Sequence, residues 1–361
     1  MVRKESRRKA LVLIVVVYII ASLSMLAFAL AYRSRIAIKE TSLLTERLQQ
    51  DQLALAACTQ ALSILAADDR NVDYLAEPWS GRHELVPVQV AYQPVDTNDT
   101  PWEVNWKLVD ESAKINVNLA SADLLLGIES LDEAAVASIL DWVDQDDIPN
   151  PDGAEDDYYS GLAPAYKCKN GPVDSMEELL LIKGISSQIY YGSNMEQGGN
   201  FPTETSVDFA ESAEENWQDD FVGLYDMLTV YGDGRININT ALRQVLDAMP
   251  LLSDAAVSEI VSRQKSPARK FSSMDDIENS DNFNVIDKLL LTEIAKFNSN
   301  HFQLIISIRK KGNSFWCEYV AAIERQGKNT HVLNWQRKSR TINKDIIYFG
   351  VYDNQSVSSQ G

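Results

Sequence analysis

Leu11–Tyr32 reads LVLIVVVYIIASLSMLAFALAY, 22 consecutive residues without a charge, a proline or a glycine. As a helix rising ~1.5 Å per residue it is ~33 Å long, enough to cross a bilayer core of ~30 Å. Arg3, Lys4, Arg7, Arg8 and Lys9 precede it against Glu5 alone. The positive-inside rule therefore puts residues 1–10 in the cytoplasm and the chain after Tyr32 outside it. A cleaved secretory signal is the competing reading, but its apolar core would be shorter and end at a small-residue cleavage site. Here the helix runs on.

From Arg33 to Ala67 there is again no proline or glycine, and Ile36, Leu43, Leu44, Leu48, Leu55, Cys58, Leu62 and Leu65 recur at helical spacing among charged residues. This predicts one rod, lipid-soluble in its first half and amphipathic in its second. No strict heptad is held, so the amphipathic half is expected to lie on a sheet rather than in a coiled coil. Strands follow: Val86–Tyr92 and Glu103–Val109 alternate apolar and polar residues around the turn-rich Gln93–Pro101, with Pro87 marking an edge strand. At the far end His301–Arg309, Ser314–Glu324 and Thr330–Trp335 return to β pattern, joined at Lys311–Asn313 and Gln326–Lys328; Asn354–Gly361 reads as a loose tail.

Between the strand groups lies an internal repeat. Lys114–Leu140 (KINVNLASADLLLGIESLDEAAVASIL) aligns with Arg235–Val261 (RININTALRQVLDAMPLLSDAAVSEIV) at an offset of 121 with ten identities in 27 positions. Each copy reads as a two-helix hairpin, its first helix expected to be capped by Asn118 or Asn239. A second echo, Ser175-Met-Glu-Glu-Leu179 against Ser273-Met-Asp-Asp-Ile277, has the pattern of a capping box and an offset of 98, so the first copy holds 23 extra residues. The predicted fold class is α+β. An N-terminal transmembrane and amphipathic helix packs on an antiparallel sheet, with a large α-helical domain inserted between strands. The expected boundaries are a leader at 1–10, the membrane helix at 11–32, sheet segments at 33–110 and 297–345, the helical domain at 111–296 with repeats 114–140 and 235–261, and a tail at 346–361.

The net charge of −19 argues against nucleic acid as a partner, since such a surface repels phosphate. Cys58, Cys168 and Cys317 fit neither a disulfide framework nor a four-cysteine zinc site; a single Cys168–Cys317 bridge stays open. Three scattered histidines, with no phosphate loop, G-x-S-x-G or C-x-x-C, predict no enzyme. The chemistry sits in Asp141–Asp157 (DWVDQDDIPNPDGAEDD). There Asp141, Asp144, Asp146, Asp152, Glu155 and Asp156 crowd around turn-forming Pro149, Pro151 and Gly153. Such a loop either folds its carboxylates around a hard cation such as calcium or stays solvated; Glu196–Asp220, also acidic and turn-rich, reads as solvated surface.

Together these features resemble the type II secretion system protein K family, the large minor pseudopilins. The likeness rests on the basic leader, the uncleaved apolar helix, Asp110-Glu-Ser-Ala-Lys-Ile-Asn-Val-Asn118, the acidic segment with Gly153-Ala-Glu155 and Tyr158, Glu177-Glu-Leu179 before Lys183-Gly-Ile185, and Thr229-Val-Tyr-Gly-Asp-Gly-Arg-Ile-Asn-Ile-Asn-Thr-Ala241. It runs from Arg7 to about Trp335. It implies a pilin-like domain in the bacterial inner membrane, its bulk periplasmic, at the tip of a pseudopilus with two other minor pseudopilins. There it supports export of secreted protein substrates, with calcium in its helical domain and no enzymatic activity. The family is cut by prepilin peptidase after a glycine. The matching bond here is Ala10–Leu11, with alanine in that place, and Val15 falls at mature position 5, where K subunits lack the glutamate of other pilins. The hairpins also resemble those of membrane-anchored DNA receptors, but Gly127–Asp132 and Met249–Asp254 lack a G-x-G turn, and only Lys183-Gly-Ile-Ser186 keeps a trace of it.

Overall fold

The computed structural model describes residues 2–85, 102–192, 222–264, 266–311, 315–327 and 329–341, with side chains from Val15 to Lys338. The expected strand Val86–Tyr92, the loops Gln93–Pro101 and Glu196–Asp220, most of the Lys311–Asn313 turn and the tail lie outside them. Val2–Ala67 is one continuous helix, α1. Nothing in it interrupts the i→i−4 ladder, and the Thr41 and Thr45 hydroxyls donate back to the carbonyls of Ala37 and Thr41. Among the described residues it is the one helix long and apolar enough to cross a membrane. The chain divides into two compact units, Met1–Ala56 and Ala57–Gly361.

In the second unit the strands β1 (Arg82–Glu84), β2 (Trp102–Asp110), β7 (His301–Lys310), β8 (Phe315–Gln326) and β9 (Asn329–Thr341) form an antiparallel sheet in the order β1-β2-β7-β8-β9. Period-two alternation sends Val104, Trp106 and Leu108 of β2, Phe302, Leu304, Ile306 and Ile308 of β7, and Cys317, Tyr319, Ala321 and Ile323 of β8 into the core. The last turns of α1 add Ala57, Cys58, Ala61 and Leu65 to the buried set, and Trp106 Nε1 donates to Gln60 Oε1 at 3.3 Å. The expected stripe is thus buried only at its end: Cys58 and Leu65 are covered together with Ala57 and Ala61, whereas Leu43, Leu44, Leu48 and Leu55 of the stripe are exposed. All three cysteines are free and buried, so the Cys168–Cys317 bridge is not formed.

Neighbouring strands β2 and β7 are separated in sequence by residues 111–300, which carry the two hairpins. The first consists of α2 (Ala122–Leu126) and α3 (Glu133–Val143); the second consists of Arg243–Asp247 and Asp254–Gln264. Each hairpin follows a two-residue strand, β3 (Ile115–Asn116) or β5 (Ile236–Asn237). These pair in parallel with β4 (Leu228–Thr229) and β6 (Ala295–Lys296). Equivalent positions of the two copies meet at Gly127 and Ala248. A Cβ on Gly127 would stand 2.0 Å from the Ala248 carbonyl oxygen, so the first hairpin needs glycine where the second has alanine. One continuous core, including Leu125, Ile139, Leu246 and Ile260, runs through both copies.

The asparagines do not cap these helices. Ser121 caps α2 through Leu124 N, and Leu242 precedes Arg243–Asp247 with no side-chain cap. Asn118 and Asn239 instead clamp distant backbone. Asn118 binds Val173 N and O at 2.7 and 3.0 Å, and Asn239 binds Phe271 N and O, both at 2.9 Å. The clamps span 55 and 32 residues, a difference equal to the 23 residues added to the first copy. The 23 extra residues thus lie inside a loop that is closed by the same clamp in both copies. The serine-led echoes do not form capping boxes: Glu178 accepts from Asp174 N, Asp276 accepts from Ser272 N and Ser273 N, and the helices that follow have no side-chain cap.

Candidate metal centre

The added residues are organised by Asp141. It lies in the last turn of α3, whose start is fixed by Asp132 accepting from Ala135 N. Asp141 is fully buried; its Oδ1 accepts from Asn150 N and Nδ2 at 3.0 and 2.6 Å, and its Oδ2 accepts from Ala154 N at 2.6 Å. The acidic loop therefore wraps around one carboxylate. Gly153 is required for this closure, because a Cβ there would reach 2.0 Å from Asp141 Oδ2. The loop closes into the helix α4 (Asp156–Ser160), with Glu155 at its N-cap position making no capping bond.

Asp141, Asp144 and Glu155 each offer a carboxylate oxygen, all within 4.8 Å of one another. Glu155 is 4 % exposed, and neither of its carboxylate oxygens has a hydrogen-bond partner among the described residues. Burial pushes its carboxyl up; the Cys168 thiol is the next largest influence and opposes the rise, and the charges of Asp141, Asp144 and Asp147 add to it. Burial raises Asp144 as well. The carbonyl end of α3 adds partial negative charge, and its last turn contains no basic residue. Three converging carboxylates, one unpartnered and buried, suit a hard cation with six to eight oxygen ligands in flexible geometry. A cavity of about 350 Å³ lined by Asp147, Pro149, Glu155, Asp156 and Tyr158 leaves room beside them.

Asp146, Asp152 and Asp156, also expected as ligands, are not part of this group. Asp146 Oδ1 accepts from Ile148 N at 2.8 Å. Asp156 Oδ1 accepts from Cys168 N at 2.7 Å, with Lys167 Nζ 3.8 Å away. Asp152 sits in a left-handed turn, φ +62°. Its carbonyl and that of Gly153 accept from Lys183 Nζ at 2.9 and 3.0 Å. Sequence reading missed Asn150, the amide that binds Asp141. It also missed Asn170, whose Nδ2 donates to Asp146 O and Asp147 Oδ1. An asparagine in a turn gives no sequence signal that separates such roles.

The hairpin turns bear on the DNA reading. Lys183, the base of the Lys183-Gly-Ile-Ser186 trace, holds the acidic loop and lies over the Tyr158 ring. Gly184, at φ +88°, packs on Ala135. The turn is thus occupied in joining the acidic loop to α3. Ala10 and Leu11 lie within α1, where the helix is uninterrupted.

Residues 110–192, which contain the first hairpin and the acidic loop, match the family model described as type II secretion system (T2SS), protein K. The chain is 31% identical over 196 residues to type II secretion system protein K of Klebsiella pneumoniae, covering 51% of this chain and 60% of that one. It is 27% identical over 200 residues to the protein of that name from Pectobacterium carotovorum subsp. carotovorum, covering 52% and 61%. The chain thus spans about three fifths of the length of the curated relatives it matches. Its fold is also that of a chain in the crystal structure of the GspK-GspI-GspJ complex from the enterotoxigenic Escherichia coli Type 2 Secretion System. That match has a TM-score of 0.56 at 18% identity, over 82% of this chain and 99% of the other. The resemblance to type II secretion system protein K and the α+β class read from the sequence both hold.

Proposed function

We propose that the chain is a non-enzymatic minor pseudopilin. In this reading Leu11–Tyr32 anchors it in the bacterial inner membrane with its bulk in the periplasm. It caps the tip of a type II secretion pseudopilus, nucleating assembly and supporting export of secreted proteins. The observation that carries the reading is the placement of residues 111–300 between adjacent strands β2 and β7, in a chain whose 110–192 segment matches the protein K family. A body of that size obstructs stacking of further subunits above it, whereas at the end of a fibre nothing need lie there. The similar solved structure is that of a GspK-GspI-GspJ complex, which supports other minor pseudopilins as the partners. Calcium held by Asp141, Asp144 and Glu155 is part of the proposal, its role being to close the acidic loop on α3.

The partner surface is testable on α1. Leu44 and Leu48 are each 62% exposed, so an apolar face remains for other subunits to cover. Leu44→Glu or Leu48→Glu is expected to leave membrane insertion intact and to remove the other minor pseudopilins from a pull-down of the tagged full chain. Undiminished recovery would refute the reading. Processing gives a separate check: co-expression with a prepilin peptidase is expected to leave Leu11 as the N-terminus. Retention of Met1 on the membrane-inserted chain would show the Ala10–Leu11 bond uncut.

A further inference from the structure

A second cluster of acids lies immediately beyond α1. The helix ends at Ala67 with no basic residue in its last turn, and Asp68-Asp-Arg-Asn-Val-Asp-Tyr-Leu-Ala-Glu77 follows. A helix C-terminus carries a charge equivalent to about −0.5, so acids placed there need compensation. Asp68, Asp73 and Glu77 each bring a carboxylate oxygen within 4.8 Å of the other two. Asp73 is fully buried and Glu77 is 8% exposed. Glu77 Oε2 is fixed by Trp79 Nε1 at 2.7 Å and Tyr74 N at 3.0 Å, and burial pushes its carboxyl up to about 7.

The cation paired with this cluster is Arg325, at the end of β8. Its Nη1 reaches Asp68 Oδ2 at 3.2 Å, and its Nη2 reaches Asp73 Oδ2 at 2.5 Å and Ser299 O at 2.6 Å. Ser299 N also donates to Asp73 Oδ2, at 2.6 Å. Everything is spent on one oxygen: Asp73 Oδ1 is buried with no partner among the described residues. Behind Ser299 stands Asp110, whose Oδ2 accepts from Ser299 Oγ, Thr240 Oγ1 and Asn237 Nδ2. Of the nearby lysines, Lys296 is paired with Asp233 at 3.2 Å, and Lys270 lies 3.9 Å from the centroid of the Tyr74 ring. One guanidinium therefore serves three clustered carboxylates with a fourth behind them.

We infer that Asp68, Asp73 and Glu77 form a divalent-cation site of the calcium class, separate from the acidic insertion. All three donors are hard oxygens from a single ten-residue segment, and the orphaned Asp73 oxygen marks where positive charge is missing. The position gives the site a role. Asp110 is the last residue before the inserted helical segment, and Ser299 lies just before the chain re-enters the sheet at His301. A cation that fixes Asp68–Glu77 against Ser299 and Arg325 tightens the base from which the insertion leaves the sheet. The inference does not rest on the proposed function or on calcium at Glu155.

Equilibrium dialysis of the full chain in detergent micelles against radiolabelled calcium chloride tests it. Glu77→Gln is expected to lower the calcium bound per chain by one ion, while its amide oxygen still accepts from Trp79 and Tyr74. Glu155→Gln removes a different ion, so wild type binds two and the double variant none. If the acidic insertion takes no calcium, wild type binds one ion, lost in Glu77→Gln and kept in Glu155→Gln. Asp68→Asn, at a half-buried position, replaces Glu77→Gln should the latter fail to fold. Stoichiometry equal to wild type in both Glu77→Gln and Asp68→Asn overturns the site.

Discussion

Calcium at millimolar concentration is expected to raise the melting temperature of the full chain in detergent, and chelator to lower it, through the site at Asp141, Asp144 and Glu155. A ligand present at 100 times its dissociation constant stabilises the state it binds by about 2.7 kcal/mol. At about 2–4 °C per kcal/mol for domains of 150–250 residues, the shift is several degrees. The geometry predicts a change of sign that a solvated loop would not give. Glu155 is buried without a hydrogen bond, so in chelator Glu155→Gln removes an uncompensated charge and is expected to match or exceed wild type in stability. In calcium the same substitution removes a ligand, so the variant is expected to melt below wild type. Asp144→Asn should follow Glu155→Gln. Asp146→Asn should keep the calcium shift, because Asp146 turns away to Ile148 N. Melting curves insensitive to calcium in every protein would leave the loop without a metal.

The parts of the fold legible in the sequence were those written in local period or in repetition. α1 was readable because an apolar and then amphipathic run has no proline or glycine to interrupt it, and the insertion because two helix-patterned copies at one offset lie between strand-patterned segments. The buried face of α1 was readable only in part, at Cys58 and Leu65. A leucine stripe has the same period whether it meets its own sheet or another chain, and the surface packed here, Ala57 and Ala61, looks featureless in sequence. The acidic insertion was recognisable as a metal candidate from its composition, yet which carboxylates converge depends on where α3 ends and on Asn150 and Gly153 closing the loop. The Asp68–Glu77 cluster was invisible for a plainer reason. Its character comes from Arg325 and Ser299, which lie 257 and 226 residues along the chain from the aspartates they bind.

The repeated asparagines give the second large effect, and it is expected to differ between sites that look alike in sequence. Asn239 is 1% exposed and clamps both the N–H and the C=O of the fully buried Phe271. Asn239→Ala leaves two backbone groups without partners and out of reach of water, at about 1–3 kcal/mol each. The expected loss is therefore about 2–6 kcal/mol in urea unfolding of the full chain at fixed calcium. Asn118 makes the same pair of bonds to the buried Val173 but is itself only partly buried, so water has access from its side and the cost is expected to stay near the net value of two part-buried bonds, about 1–3 kcal/mol in total. Hydrogen exchange should locate the difference, with the Phe271 amide losing more protection in Asn239→Ala than the Val173 amide does in Asn118→Ala. Equal losses at the two positions would show that burial does not set the strength of these clamps. The motif alone would then fix their cost, since both copies present the same I-N-x-N sequence.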